Sequence, residues 1–486
     1  MAKDNLKSQT ASGLKWSLLG NYGAQIIGFV SSIVLARLLS PEDFGLVGMA
    51  LTLINILRIL VTLGMNEAII QNKNISTTTA SSVFYFNLGT GIVVGGLIAL
   101  SAPLVAQFYG IDKLAMLVRL SALIYVLSSL NVVQRALLNK TLKFKKLTTI
   151  SLIAQFGASA VAIAMALSGF GYESLMAQYV LSSILNTVLL WRASTWKPTR
   201  EFKWSEIQRL WSFAMYSFIG TSLNKVITEV YTIVIAKVFS PTILGFYSRA
   251  DSFSKLIVQN SAITFRTVLF PVLSKLQDQP ERFKSTYIRT YHMVIAVSVY
   301  LTAVALISGE TVIIALFGEK WRESVHIFQF LMFRGISLPQ SSIAITGILA
   351  AGKAKENFNF GHVRRTIGLL PLITLYWGDL QLFMTATICT QIVGMVLNAY
   401  VNWKVLNVGL RQQLVPMLSL VAFSGALWFA LNNWLVMQNN LVETAVHTLI
   451  FSSLYLGAFF TFAPTAARDA FGQVKAFVLR RLKRAQ

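Results

Sequence analysis

Ten cationic side chains lie within long apolar runs of the chain, where the same runs hold only two acids, Glu229 and Asp251. Charge inside a bilayer is costly, so an ionisable residue in a membrane span is a functional hypothesis by default. The ten are Lys15, Arg37, Arg58, Arg119, Lys225, Lys237, Arg249, Lys255, Arg266 and Arg334. This imbalance of cations over acids predicts a cavity with positive potential.

The ten cations differ in how deep they lie within the runs. Arg58, Lys225, Lys255 and Arg334 fall near the centres, where a long side chain cannot easily reach the headgroups. We predict that these four bind substrate, with structural ion pairs as the open alternative. The cations nearest the ends of the runs are predicted headgroup anchors: Lys15, Arg37, Arg119 and Lys237.

The two acids differ in their sequence neighbours. Glu229 follows Lys225 by four residues, so the two could neutralise each other on one helical face. Arg249 and Asp251 are two residues apart and face different sides of a helix, so each needs partners elsewhere. We add Arg249 to the predicted binding residues and expect Glu229 and Asp251 to be candidates for ion coupling.

Uncharged polar residues also lie in the runs. Asn21 and Gln25 are early in the first run, and Gln340 follows Pro339 in the tenth. A proline there predicts a broken helix with freed carbonyl groups, a common device in transporter sites. We include Asn21, Gln25 and Gln340 in the predicted binding set, with interhelical hydrogen bonding as the alternative.

Signatures of catalysis and of metal or nucleic-acid binding are weak. The segment GILAAGK at 347–353 matches the core of a P-loop, but Ala354 stands where a hydroxyl is required. The four histidines lack metal-ligand spacing, and no Ser-His-Asp set is arguable. The formal charge of +23 is spread among short loops, which is not typical of nucleic-acid binding. We therefore expect no catalytic residue, metal, cofactor or nucleic-acid partner, and no enzyme activity.

The elements that hold these residues are membrane helices. Of the 486 residues, 55% are hydrophobic and 13% are charged, against roughly 25% charged in soluble domains. Apolar runs of about 20 residues, the length that crosses a bilayer, recur along the chain. Lipid cannot satisfy backbone polar groups, so only helices fit. The sequence predicts an all-α polytopic membrane protein with about fourteen transmembrane helices.

Loop charge predicts the orientation. With the N-terminus placed in the cytoplasm, the cytoplasmic segments hold 29 of the 42 Lys and Arg residues, and the outward loops hold three. Such a bias is typical of cytoplasmic loops, so both termini are predicted to be cytoplasmic. Residues 465–486 are predicted to form a basic amphipathic helix on the anionic lipids of the inner leaflet.

An internal repeat predicts two lobes. Residues 33–50 align with 233–250 without a gap, and seven of the eighteen positions are identical. Six spans separate the copies, so the lobes share one orientation and are related by an axis along the membrane normal. We predict six-helix lobes at 1–200 and 201–405, followed by an additional helix pair at 406–464.

Several stretches resemble a known family. They include SGLKWS at 12–17, VLARLLSPEDFGL at 34–46, QRALLNKTLKFKKL at 134–147 and VLFPVLSKLQDQPERF at 268–283. With these, the chain resembles the polysaccharide-transporter (Wzx-type flippase) branch of the multidrug/oligosaccharidyl-lipid/polysaccharide exporter superfamily, and within it the colanic acid exporters. The resemblance implies that a bacterial inner-membrane protein moves an undecaprenyl-diphosphate-linked oligosaccharide, such as an exopolysaccharide or O-antigen repeat unit, by alternating access. It also implies polysaccharide polymerase machinery as a partner.

Two other functions stay open at this point. A small-molecule or drug antiporter of the same superfamily that exported cations would need an acidic cavity, whereas this one is predicted to be basic. A membrane glycosyltransferase or polymerase needs room for chemistry, commonly a large outward loop. The longest outward loops here, such as 309–323, have only about 15 residues.

Overall fold

The computed structural model describes residues 2–72, 74–434 and 441–462. Within these ranges every regular element is a helix, as the apolar runs predict, and no strand is present. The expectation of an all-α membrane protein is confirmed in that coarse form.

The first half of the chain forms α1 to α9. They are α1 (Ala2–Leu38), α2 (Pro41–Thr62), α3 (Met65–Gln71), α4 (Thr77–Tyr109), α5 (Lys113–Ser129), α6 (Val132–Lys140), α7 (Phe144–Leu167), α8 (Tyr172–Ala193) and α9 (Trp204–Val238).

The second half forms α10 to α18, with two 3-10 turns at Glu319–Trp321 and Leu375–Trp377. They are α10 (Pro241–Ser274), α11 (Pro280–Phe317), α12 (Glu323–Met332), α13 (Arg334–Ala350), α14 (Ala354–Leu369), α15 (Pro371–Thr374), α16 (Leu380–Leu406), α17 (Leu410–Trp434) and α18 (Leu441–Phe462).

Seven of the described helices are long and apolar enough to cross a bilayer, or up to eight if the bent pair α5–α6 is one span. Each of the fourteen predicted runs lies, in its described part, on one helix or on consecutive helices. The count of fourteen crossings stays a prediction. The eleventh apolar run covers 366–377, and its span was expected to begin nearer Phe358. The helix α14 begins at Ala354, four residues before that, because polar residues extend the helix beyond the apolar window.

The chain divides into two compact units, residues 1–245 and 246–486. In the first unit, Met65, Ile69, Val83 and Phe84 form a buried core against Leu210 of α9. The helix α9 thus packs with the first unit, although the repeat placed it in the second predicted lobe. The two units are defined by how the helices pack, whereas the predicted lobes are defined by the sequence repeat. The lobe boundaries therefore stay a prediction.

The core of the second unit centres on α11. Tyr291 and Val294 pack there with Phe451 and Tyr455 of α18. The Tyr455 hydroxyl donates to the Ala296 carbonyl at 2.7 Å. The helices α17 and α18 fall within the predicted additional pair at 406–464, and the predicted tail helix at 465–486 lies outside the described residues.

The break in the tenth run is not where the sequence placed it. Pro339, the predicted breaker, lies inside α13, and the helix is interrupted at Phe333, six residues earlier. A proline ring crowds the carbonyl four residues before it. That carbonyl belongs to Gly335 in the first turn of α13, and α13 continues through Pro339 all the same. The prediction of a break at Pro339 is wrong, and Arg334 becomes the first residue of α13.

The two repeat copies have the same local structure. The helix α1 ends at Leu38 and α2 begins at Pro41, while α9 ends at Val238 and α10 begins at Pro241, an offset of 200 residues at both boundaries. Proline suits a first helical position because its missing N–H would have no partner there. The Ser-Pro turns therefore form as the aligned sequences predict.

Candidate functional site

The clearest charged cluster in the described spans is built on one face of α10. Tyr247, Asp251 and Lys255 are spaced four residues apart, so they project from the same face. One Asp251 carboxylate oxygen pairs with the Lys255 ammonium at 2.5 Å, and the other accepts a hydrogen bond from Arg334 at 2.6 Å. Arg334 also donates to the Tyr247 hydroxyl at 3.4 Å. The cluster holds two cations and one carboxylate.

Exposure is graded across the cluster. The side chain of Asp251 is 15% exposed, that of Arg334 24% and that of Lys255 45%. The carboxylate is thus the inner member, and both cations could turn to another anion without leaving the site. Their pairing with Asp251 matches the alternative of a structural ion pair, while the binding role stays a prediction.

A small cavity adjoins Arg334. Tyr247, Arg334, Phe383, Thr387 and Gln391 are among its lining residues, and its volume is about 10 Å³. That is room for about one water molecule. A diphosphate could enter only if α10, α13 and α16 moved apart.

Further polar side chains form hydrogen bonds between α13 and α16. The Ser337 hydroxyl donates to Gln391 at 2.6 Å, and Asn398 donates to Gln340 at 3.1 Å and to Ser341 at 2.8 Å. Gln340, a predicted binding residue, is fully buried and also donates to the Met395 carbonyl. Its described bonds are between helices, as the alternative of interhelical hydrogen bonding predicts.

Sequence reasoning missed Arg364. It lies on α14 and donates to Asn398 at 2.6 Å and to Asn357 at 2.8 Å, so it joins these hydrogen bonds through Asn398. The eleventh span was expected to begin nearer Phe358, but Arg364 was still counted with the loop cations, because the count followed the apolar window 366–377. Two adjacent arginines immediately before an apolar run were the available signal.

The structure places Arg249 apart from Asp251, as their two-residue spacing predicts. Its guanidinium lies 5.8 Å from the ring centroid of Phe317 and 5.9 Å from that of Trp321. Both rings are buried, so cation–π attraction stabilises the charge there. Glu229 and Gln25 are half-buried on α9 and α1.

Three other predicted residues cannot be placed in the cluster. The side chains of Arg58, Lys225 and Asn21 lie outside the described residues, so their roles stay predictions. Of the four central cations, the structure brings Lys255 and Arg334 together. Among the described residues, no group of three or more His, Cys, Asp or Glu side chains could hold a metal ion.

Comparison with known proteins identifies the family. The family model described as polysaccharide biosynthesis protein matches residues 34–326, more than half of the chain. The lipopolysaccharide biosynthesis protein WzxC of Escherichia coli (strain K12) is 24% identical over 85% of this chain and 85% of its own length. The succinoglycan biosynthesis transport protein ExoT of Rhizobium meliloti (strain 1021) is 28% identical over 70% of this chain and 68% of its own.

Solved structures share the fold at low sequence identity. The lipid II flippase MurJ, in an inward closed conformation, superposes with a TM-score of 0.66 over 90% of this chain and 98% of its own, at 16% identity. An inward-facing multidrug resistance MATE family transporter of the MOP superfamily gives a TM-score of 0.59 over 79% and 94%, at 12% identity. At these identities the likeness concerns the fold alone.

Proposed function

This multi-pass membrane protein belongs to the polysaccharide biosynthesis protein family, and we propose that it flips an undecaprenyl-diphosphate-linked oligosaccharide across the bacterial inner membrane by alternating access. The cargo would be an exopolysaccharide or O-antigen repeat unit. The observation that carries the proposal is the Arg334–Asp251–Lys255 cluster, in which two cations share one carboxylate inside a membrane domain. Relatives named for polysaccharide biosynthesis and transport support the same proposed function.

The chemistry of a diphosphate explains why such a cluster is useful. Desolvating a diphosphate without cations would cost many kcal/mol, since even an isolated carboxylate costs tens by Born solvation. Arg334 and Lys255 offer charge-assisted hydrogen bonds, the stronger kind of protein hydrogen bond. Asp251 keeps both cations ordered and partly neutralised while the site is empty. The incoming diphosphate then competes with the carboxylate for them.

This competition also allows release. A flippase must bind its cargo and let it go, so the contacts must differ between its two states, or binding shifts nothing. The cavity beside Arg334 is about 10 Å³, too small for a diphosphate. When Asp251 recaptures its cations and the helices close on this cavity, the diphosphate loses its partners and leaves.

The charge distribution supports an orientation with both termini in the cytoplasm. The outward loops hold only Lys113, Lys320 and Arg322 among the 42 Lys and Arg residues. In that orientation the cargo is loaded from the cytoplasmic leaflet, delivered to the periplasmic leaflet and passed there to polymerase machinery.

A deletion strain tests the function. Loss of the protein is expected to abolish the surface polymer and to leave the lipid-linked oligosaccharide in the cytoplasmic leaflet, where it is inaccessible to a glycosidase added to spheroplasts. If the protein were a membrane glycosyltransferase, its loss would instead leave an incomplete oligosaccharide. If it were a polymerase, its loss would leave a complete oligosaccharide that the added glycosidase can reach. Mass spectrometry of the accumulated lipid before and after the glycosidase treatment separates these outcomes.

A further inference from the structure

A second cationic site lies on α14, away from the Asp251 cluster. Arg364 is held by neutral partners, because Nη1 donates to the side-chain oxygen of Asn398 and Nη2 to that of Asn357. Among the described residues, no carboxylate lies within ion-pair distance of its guanidinium. Arg365 follows directly and is half-buried. The two arginines therefore place two positive charges side by side on a membrane domain without a described counter-charge from the protein.

The partners of Arg364 orient it and leave donors available. Asn398 is 1% exposed, and its amide nitrogen is engaged by Gln340 and Ser341, so its oxygen is fixed toward Arg364. A guanidinium has five N–H donors, and the two described bonds use two of them. Three donors remain for an anion, and bidentate binding of phosphate is the geometry that a guanidinium favours.

Exposed aromatic residues give the level of this site in the bilayer. Trp403 of α16, five residues after Asn398, is 47% exposed, and Phe358 of α14, six residues before Arg364, is 62% exposed. Aromatic belts lie at the headgroup level. At 1.5 Å per residue, the α-carbons of Trp403 and Phe358 lie roughly 7–9 Å along their helices from those of Asn398 and Arg364.

The side chain of Arg364 extends toward that level. Asn357 is two helical turns nearer to the start of α14, and Nη2 of Arg364 reaches its side-chain oxygen at 2.8 Å. Such snorkelling brings the charge to the depth of lipid phosphates. Lys353 and Lys355 at the start of α14 are exposed and are followed by Glu356, so the charge of this first turn is mixed.

We propose that Arg364 and Arg365 bind the phosphate group of a membrane lipid at the edge of α14, independently of the Asp251 cluster. Two lipids offer this chemistry: an anionic phospholipid of the inner leaflet, and the diphosphate of a polyprenyl-linked cargo. The site does not require that the protein flips anything, so the failure of one proposal leaves the other standing.

Native mass spectrometry of the full-length protein in neutral detergent tests the site. The probes are phosphatidylglycerol and undecaprenyl diphosphate. Phosphatidylcholine, which is zwitterionic and has no net charge, is the reference lipid. Arg364→Gln is expected to weaken binding of the phosphate probe about tenfold or more, since hydrogen bonds to charged groups contribute about 1.5–3 kcal/mol each. Lys355→Gln removes one exposed charge from the same helix and is the matched control, with little expected effect.

A second variant keeps the arginine in place. Asn357→Asp retains the bond to Arg364 but supplies a carboxylate, so it should weaken phosphate binding even where Arg364→Gln fails to fold. Loss for phosphatidylglycerol alone identifies a bilayer lipid as the ligand, and loss for undecaprenyl diphosphate alone identifies the cargo; a loss for both shows a general phosphate site. Unchanged binding of both probes in Arg364→Gln and Asn357→Asp, or equal loss in Lys355→Gln, overturns the proposal.

Discussion

At the scale of single residues, Asp251 decides how the cationic cluster behaves. With Arg334 and Lys255 both on its carboxylate, the cluster carries one net positive charge and not two. Removing one member of a partly buried ion pair costs more than removing both, because the remaining charge loses its partner. Single and paired substitutions therefore report on different properties, the first on stability and binding together, the second mainly on binding.

Arg334→Ala is expected to reduce surface polymer about tenfold or more, because it removes a charge-assisted contact to the cargo diphosphate. Arg334→Lys should restore export in part, since the charge returns but the bidentate geometry does not. The measurements are the polymer yield and the amount of protein in the membrane fraction.

The control for this series is Arg322→Ala. Arg322 pairs with Glu310 at 2.5 Å outside the predicted spans, where an exposed ion pair contributes little, about 0–1 kcal/mol. The paired variant Arg334→Ala with Asp251→Ala removes the ion pair together and should also fail to export while reaching the membrane. Normal export by the paired variant would show that the cluster is structural.

Residue types in the sequence predicted much of this site, but not its pairing. Lys255, Arg334 and Asp251 were identifiable because ionisable groups are rare in apolar runs. The bond between Asp251 and Arg334 joins residues 83 positions apart, and no spacing rule links them. Arg364 was missed for a different reason: although the span was expected to begin nearer Phe358, the span cations were counted only within the apolar window 366–377.

At the scale of elements, the two Ser-Pro turns meet in a reciprocal contact. A Cβ atom on Gly45 would overlap the backbone carbonyl of Pro241, and one on Gly245 would overlap that of Pro41. Only glycine allows the backbones to approach this closely. The pair relates α2 and α10 by the same 200-residue offset as the sequence repeat, and in the predicted orientation it lies on the outward side.

Gly45→Ala or Gly245→Ala is expected to force these turns apart, at a cost of about 1–3 kcal/mol for overpacking. The outward side should then open more often and export should fall. In a Cys389→Ser background, Val47→Cys reports the opening, because Val47 is 3% exposed in the closed contact. An impermeant thiol reagent added to whole cells should label it faster in the alanine variants.

Gly48→Ala is the matched control, since the nearest atom to its added Cβ is a leucine methyl group of Leu244 at 3.8 Å, an ordinary contact. Equal labelling of Val47→Cys in all three alanine variants would show that the glycine contact does not control access.

The helices themselves were more predictable than their interruptions. The lengths of the apolar runs and the Ser-Pro pairs between them predicted where α1 and α9 end and where α2 and α10 begin, because both signals are local in the sequence. The break at Phe333 carries no such local signal, since α13 continues through Pro339 and the carbonyl that its ring crowds is that of Gly335. Helix propensity alone predicts a break at the proline, so the predicted break in the tenth run lies six residues after the observed one.

At the scale of the whole molecule, loop charge fixes the expected orientation. In the Cys389→Ser background, single cysteines at Asn72, Lys145 and Lys284 should be shielded from an impermeant thiol reagent in intact cells, because they lie in the predicted cytoplasmic segments, which together hold 29 of the 42 Lys and Arg residues. A cysteine at Asn433 should react. Permeabilised cells provide the control in which all four react, and labelling of Lys145→Cys in intact cells would reverse the orientation.

Transbilayer movement in proteoliposomes measures the proposed flipping of the lipid-linked oligosaccharide itself. The purified protein is reconstituted with a fluorescent undecaprenyl-diphosphate-linked oligosaccharide, and a membrane-impermeant quencher reports how much probe remains in the outer leaflet. We expect the intact protein to make the inner-leaflet pool accessible, and the paired Arg334→Ala and Asp251→Ala variant to behave like protein-free vesicles. If the probe moves no faster with the intact protein than in protein-free vesicles, the protein is not a flippase for this lipid. If the paired variant moves the probe as fast as the intact protein, the cluster does not bind the cargo.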